Sequence, residues 1–95
     1  MTPVRLSKLA FDEIERVGRE IAADKPRAAE AFMVELIARC QAIADAPEGY
    51  DFRPDYGAGV RGVTVRPYLI LYRVRPRDIL ILSVRHGARR PVIFK

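Results

Sequence analysis

Residues 60–85 read VRGVTVRPYLILYRVRPRDILILSVR, and the apolar runs within them decide the fold. Three segments rich in Val, Ile, Leu and Tyr, 60–65, 68–74 and 79–85, are separated by Arg66-Pro67 and by Arg75-Pro76-Arg77-Asp78. Strand-length runs broken by such short turn stretches predict three strands joined as antiparallel hairpins. Closing the second hairpin on its four-residue loop pairs Val74 with Ile79, Tyr72 with Ile81, Ile70 with Ser83 and Tyr68 with Arg85. Closing the first on Arg66-Pro67 pairs Val65 with Tyr68 and Arg61 with Tyr72. Alternation then places Leu69, Leu71, Leu80, Leu82 and Val84 on one face, which is purely aliphatic at its centre and expected to lie on the helices. The other face collects Arg61, Val63, Tyr68, Ile70, Tyr72, Ile79, Ile81, Ser83 and Arg85. That face is apolar enough to need a cover, and its Arg, Tyr and Ser residues make it a candidate partner surface. Two other covers are open to it: the C-terminal Val92-Ile93-Phe94, folded back, or a second copy of the chain. A register slip of one residue would move Arg61 across the sheet.

Upstream, residues 3–6 suit a short first strand. Ser7 then stands where a helix N-cap belongs, ahead of apolar residues at Ala10, Phe11, Ile14, Val17 and Ile21. Asp24-Lys25-Pro26 interrupts that pattern, and Pro26 fits the first turn of a second helix because its missing N–H is not needed there. From Ala28 to Ala46 the stripe Phe32, Leu36, Cys40 and Ile43 is widened by Ala29, Met33, Ile37 and Ala44, until Pro47 and Gly49 stop it. Two helices so close in sequence predict an antiparallel hairpin. The loop PEGYDFRPDYGAG at 47–59 carries Tyr50, Phe52 and Tyr56, which either pin it to the core or form an aromatic patch open to a partner. The whole chain, 1–95, is therefore expected to be one α+β domain: a short N-terminal strand and a helical hairpin packed on a three- to four-stranded antiparallel sheet. Its 95 residues and 49% hydrophobic content suffice for one core and leave no room for a second.

Charge is divided along the chain. Residues 53–95 hold ten Lys or Arg against Asp55 and Asp78, a net of +8, whereas residues 1–52 carry seven basic and ten acidic side chains, a net of −3, which together give the formal +5. Because the basic half is also the strand-forming half, a cationic sheet is expected, suited to a polyanion or an acidic protein segment. Fourteen of the seventeen basic residues are Arg, which favours forked recognition of phosphate or carboxylate, although a GC-rich coding sequence would produce the same bias. A single cysteine, Cys40, rules out an internal disulfide and a cysteine-based metal cluster, and points to the reducing cytoplasm. No apolar stretch reaches signal-peptide or membrane length, so neither secretion nor membrane insertion is expected.

No nucleotide-binding glycine pattern and no pair of histidines for a zinc site are present, so neither cofactor nor metal is expected. Cys40, on an apolar helical stripe without a neighbouring His, reads as a small core residue. His86, at the end of the last strand, reads as a structural residue or as a lone general base; Arg85, Arg89 and Arg90 beside it could hold phosphate or a partner carboxylate.

Three local patterns then carry a family likeness: Gly59-Val60-Arg61-Gly62, the run Arg66-Pro67-Tyr68-Leu69-Ile70-Leu71-Tyr72-Arg73-Val74, and Ile81-Leu82-Ser83-Val84-Arg85-His86-Gly87-Ala88-Arg89-Arg90. In this order the chain resembles the RelE/ParE toxin superfamily of type II toxin–antitoxin modules, most closely its ParE-like branch. The resemblance implies a toxin that inhibits DNA gyrase by binding, neutralised by a cognate ParD-like antitoxin with an acidic C-terminal region. Such antitoxins contact the toxin through an amphipathic helix and an extended segment. The partner-binding residues would be Arg61, Tyr68, Tyr72, Arg85, Arg89 and Arg90. The RelE-like alternative is a ribosome-dependent mRNA endoribonuclease, in which Arg61 and Arg85 would stabilise phosphate charge and His86 would transfer protons. The chain departs from that branch in two ways. Its C-terminal tail has no Tyr, and Tyr68-Leu69 stands where several cutters carry an arginine early in the middle strand.

Overall fold

The computed structural model describes residues 2–95. Strand β1 (Val4–Leu6) leads into helix α1 (Lys8–Asp24) and helix α2 (Pro26–Asp45). A single 3-10 turn (Pro54–Tyr56) follows, then β2 (Val60–Val65), β3 (Tyr68–Val74) and β4 (Ile79–His86). The expected N-cap is present: Ser7 Oγ accepts from Ala10 N at 3.0 Å. Pro26 opens α2, as its lack of an N–H allows. The strands align β1-β4-β3-β2, so the last strand in the chain is internal. Its outer neighbour β1 runs parallel to it, with Arg5 opposite Leu80. The sheet is thus mixed, which corrects the all-antiparallel expectation. No described helix is long and apolar enough to cross a membrane.

The β2–β3 register is the one read from the sequence, with Val65 opposite Tyr68 and Arg61 opposite Tyr72. The β3–β4 register agrees only at its loop end, where Val74 meets Ile79 and Tyr72 meets Ile81. Beyond that a bulge at Leu82 shifts the ladder, so Leu71 meets Ser83, Ile70 meets Val84, Leu69 meets Arg85 and Tyr68 meets His86. A bulge adds one residue to one strand and reverses the facing of everything after it. Val84 consequently joins the helix side and Arg85 the far side, the opposite of the simple alternation.

Helix α1 holds the bulge in place. Ser7 Oγ donates to the carbonyl of Leu82 at 3.0 Å, while Glu13 accepts from Ser83 Oγ at 2.7 Å and from Val84 N at 3.0 Å. Glu13 and Ser83 are both buried, so these bonds satisfy backbone and side-chain groups that water does not reach. Replacing Glu13 with Ala strands two buried donors and is expected to destabilise the domain by about 1–3 kcal/mol. Glu13→Gln, which keeps an acceptor, should cost less. A urea midpoint that does not move in Glu13→Ala would show that the contact is dispensable.

The helices lie on the face formed by Val63, Val65, Ile70, Tyr72, Ile79, Ile81 and Val84, which meets Ala10, Ile14, Leu36 and Ile43. This reverses the expected layering: the face read as open is the principal core. The Leu face is not bare either. Leu69, Leu71 and Leu82 pack with Tyr56 and Val60, and Leu80 and Phe94 flank them. Both sides of the sheet are apolar because both are covered, one by helices and the other by the 3-10 turn and the C-terminal residues.

Candidate partner-binding site

The burial of the sheet scatters the residues singled out from the sequence. Tyr72 is 0% exposed; its hydroxyl donates to the carbonyl of Pro47 at 2.6 Å, and burial pushes its pKa up to about 12. Tyr68 is half-buried between Phe32 (ring centroids 5.1 Å apart) and His86 (5.8 Å). Arg61 lies at the helix-side margin of edge strand β2, donating to the carbonyls of Glu48 and Tyr50 while its guanidinium sits 3.8 Å from the Phe52 ring centroid. Arg85 is 5% exposed on the opposite face, 5.6 Å from the centroid of Tyr56. His86, the last residue of β4, and Arg89 and Arg90 beyond it are exposed, and the Nδ1 of His86 accepts from the backbone N–H of Ala88. The expected continuous surface through Arg61, Tyr68, Tyr72 and Arg85 is therefore not formed. Arg61 and Arg85 sit on different faces, Tyr72 is interior, and only Arg89 and Arg90 lie freely accessible.

The sheet's remaining charges are partly tied up locally. Asp78 is held by Arg75 through two contacts of 2.6 Å and by Arg5 at 3.2 Å. The hydrogen bonds from Arg75, against an opposing effect of burial, hold its carboxyl below the ordinary 3.8. A depressed carboxylate contributes stability above its unfolded value, and that contribution is lost as pH falls through the folded value. Asp78→Asn should therefore flatten the loss of stability below about pH 4. An acid-unfolding curve of the same shape for both proteins would contradict this.

What the fold does leave open lies between the helices and the β1 edge of the sheet. A groove of about 1180 Å³ runs between α1, α2 and β1, and its walls include Leu6, Phe11, Met33, Val34, Ile37 and Cys40. Four of these are large apolar side chains in solvent: Leu6 is 43% exposed, Phe11 51%, Val34 69% and Ile37 55%. Such a concentration exceeds the scattered apolar residues normal on a monomer and marks an interaction site. Glu15, Arg19 and Glu30 also line it. Burial pushes the Cys40 thiol up, away from the reactive thiolate, which agrees with a packing role. Beside the groove, β1 pairs on one side only, with β4, so its outer edge offers backbone groups to an added strand. Among the described residues no cluster of three His, Cys, Asp or Glu side chains could hold a metal.

The groove was only half visible in the sequence. Phe11 and Ile37 fall within stripes that suit a core, and Val34 lies outside them. The available signal was the width of the apolar arc on α2, broader than one buried face requires.

The sequence profile of the family described as ParE toxin of type II toxin-antitoxin system, parDE, matches residues 4–91. The chain belongs to the ParE toxin family. Among solved structures it is similar to a chain of the chromosomal ParDE TA system from P. aeruginosa, with a TM-score of 0.78 and 18% identity over 90% of this chain and 96% of that one. It is also similar to the conserved hypothetical protein HP0894 from Helicobacter pylori, at a TM-score of 0.48 and 13% identity over 94% of this chain and 98% of the other. No curated protein matches the sequence. As a ParE toxin of a type II system the chain has an antitoxin for a partner.

Proposed function

We propose that this chain is a ParE-like toxin that inhibits DNA gyrase by binding, in the cytoplasm, and that a ParD-like antitoxin silences it by laying an amphipathic helix into the α1–α2 groove. The observation that carries the antitoxin half is the groove itself: apolar, helix-walled and bordered by an unpaired strand edge, it suits a helix followed by an extended segment. An acidic C-terminal region on the antitoxin would complement the +8 half of the toxin.

Binding is favoured over RNA cleavage by the dispersal of the groups a ribonuclease would use. Arg61 and Arg85 occupy opposite faces of the sheet, and the Nδ1 of His86 is engaged by Ala88 N. General acid–base chemistry on a phosphodiester needs these groups within reach of one reacting centre. Purified toxin added to gyrase should block supercoiling or trap cleaved DNA while leaving ribosome-bound message intact. Cleavage of message in an A-site assay, with supercoiling undisturbed, would reverse the assignment.

A further inference from the structure

The face of the sheet opposite the helices is closed by the chain's own end. Residues 91–95, in neither helix nor strand, pass over it as a strap. Phe94 stacks near Tyr56, with centroids 6.5 Å apart and planes 29° from parallel, and its N–H donates to the Tyr56 carbonyl at 2.8 Å. The other ties are backbone oxygens taken up by arginines: Arg73 donates to the Phe94 carbonyl at 3.1 Å and to Lys95 O at 3.3 Å, and just ahead of the strap Arg85 donates to the Arg90 carbonyl at 3.0 Å. Gly57, at φ +124, lets the strap approach; a Cβ there would stand 2.5 Å from Phe94 O. Val92 and Ile93 remain 48% and 61% exposed, so they hold the strap down only weakly.

Beside the start of this strap lies Arg85, only 5% exposed, with a buried Nε that has no acceptor among the described residues. A buried charged donor left unpaired is costly, and its presence in a native fold calls for a reason. The Nε and Nη groups of arginine form a fork matched to an anion with two oxygens, whereas the Arg90 carbonyl fills one prong. Arg53 lies 5.2 Å from the centroid of the same Tyr56 ring, and Arg73 borders the strap at its other end.

We propose that Arg85, Arg73 and Tyr56 form a binding site for a single-stranded nucleic-acid segment, and that the strap occupies it as an internal substitute. The tail carbonyls stand where phosphate oxygens would sit, and the Phe94 ring stands where a base would stack. Phosphate is favoured over a carboxylate-bearing peptide for two reasons. Tyr56 presents a ring face when Phe94 leaves it, and bases stack on such faces irrespective of sequence. Arg53, Arg73 and Arg85 lie around Tyr56 and the tail residues that cover it, with Asp55 paired to Arg53, and a row of positive charge suits a phosphodiester chain. DNA and RNA both supply this chemistry. The site does not depend on the gyrase assignment and is tested without gyrase.

The test uses the full chain. Anisotropy of labelled single-stranded DNA and RNA oligonucleotides is followed with the native protein, with Phe94→Ala and with Gly57→Ala; the first removes the stack and the second crowds the strap while deleting no packing atom. Freeing an occupied site removes the conformational penalty on binding, so either variant should bind about tenfold more tightly. Arg85→Gln in the same background should abolish that gain, and a preference between DNA and RNA would identify the natural source of phosphate. Should one strap variant fail to fold by circular dichroism, the other carries the measurement. Folded variants that bind no better than the native chain, a gain that survives Arg85→Gln, or a gain seen only for an acidic peptide would overturn the proposal.

Discussion

Replacing Ile37 with Glu is expected to weaken antitoxin binding by about a hundredfold or more, which corresponds to about 2.7 kcal/mol, while leaving the toxin's own stability within about 0.5 kcal/mol. The two halves of the expectation have one cause. Ile37 is 55% exposed in the groove, so the free toxin gains little from it, whereas a helix seated there would bury it completely. A carboxylate at that point would lie without a partner in a desolvated apolar contact, the situation that costs most at an interface. Phe11→Glu, on the facing wall, should behave alike, since aromatic anchors at the centre of a contact carry a disproportionate share of affinity. Leu9 provides the control: it is 48% exposed on α1 but does not line the groove, and Leu9→Glu should leave affinity unchanged. Titration calorimetry with the purified antitoxin decides the matter. Native affinity in both groove variants would move the antitoxin elsewhere.

The second large effect belongs to Tyr72, and it is an effect on folding. Tyr72→Ala should cost about 3–5 kcal/mol, a large part of the roughly 5–15 kcal/mol that holds a domain of this kind together. Its ring is wholly buried among Ile79, Ile81 and the helices, with Tyr50 edge-on at 6.5 Å. Tyr72→Phe keeps the ring and removes the 2.6 Å bond to Pro47 O, for about 1 kcal/mol. The phenol also links stability to alkali. Its folded pKa, about 12, exceeds the ordinary 10.0, chiefly because burial disfavours the phenolate. A raised pKa means that stability is complete below the unfolded value and declines as pH rises through the interval between about 10 and 12. Tyr72→Phe should lose that part of the alkaline decline. If Tyr72 instead faced a partner, Tyr72→Ala would lower antitoxin affinity and leave the denaturation midpoint in place.

That contrast shows where sequence reasoning held and where it stopped. Turn chemistry and apolar runs located every strand and helix to within two residues, because Ser7, Pro26, Pro47, Arg66-Pro67 and the 75–78 loop are local signals with local effects. The β2–β3 register followed from a two-residue connection. What could not be read was which side of the sheet the helices take. Leu69, Leu71 and Leu82 looked like the buried face, yet Ile70, Tyr72, Ile79 and Ile81 are equally apolar, and only the return of the tail over the first set explains why both are so. The bulge at Leu82 was invisible for a related reason: its support comes from Ser7 and Glu13, through bonds that span seventy or more positions. Arg85 followed the bulge to the other face, taking with it the expected pairing with Arg61. The helical groove escaped because a sequence does not distinguish an apolar residue that buries itself from one kept for another protein.

Placing β4 between β1 and β3 gives biosynthesis a late checkpoint. The strand that anchors α1, through Ser83 and Val84, and completes the parallel pair with β1 is residues 79–86 of 95. Until it emerges from the ribosome, the nascent polypeptide holds two helices and the β2–β3 hairpin but not the strand that joins β1 to β3 and bonds α1. A chain terminated before Ile79 therefore lacks the element on which β1, α1 and β3 all converge, and is not expected to complete the domain.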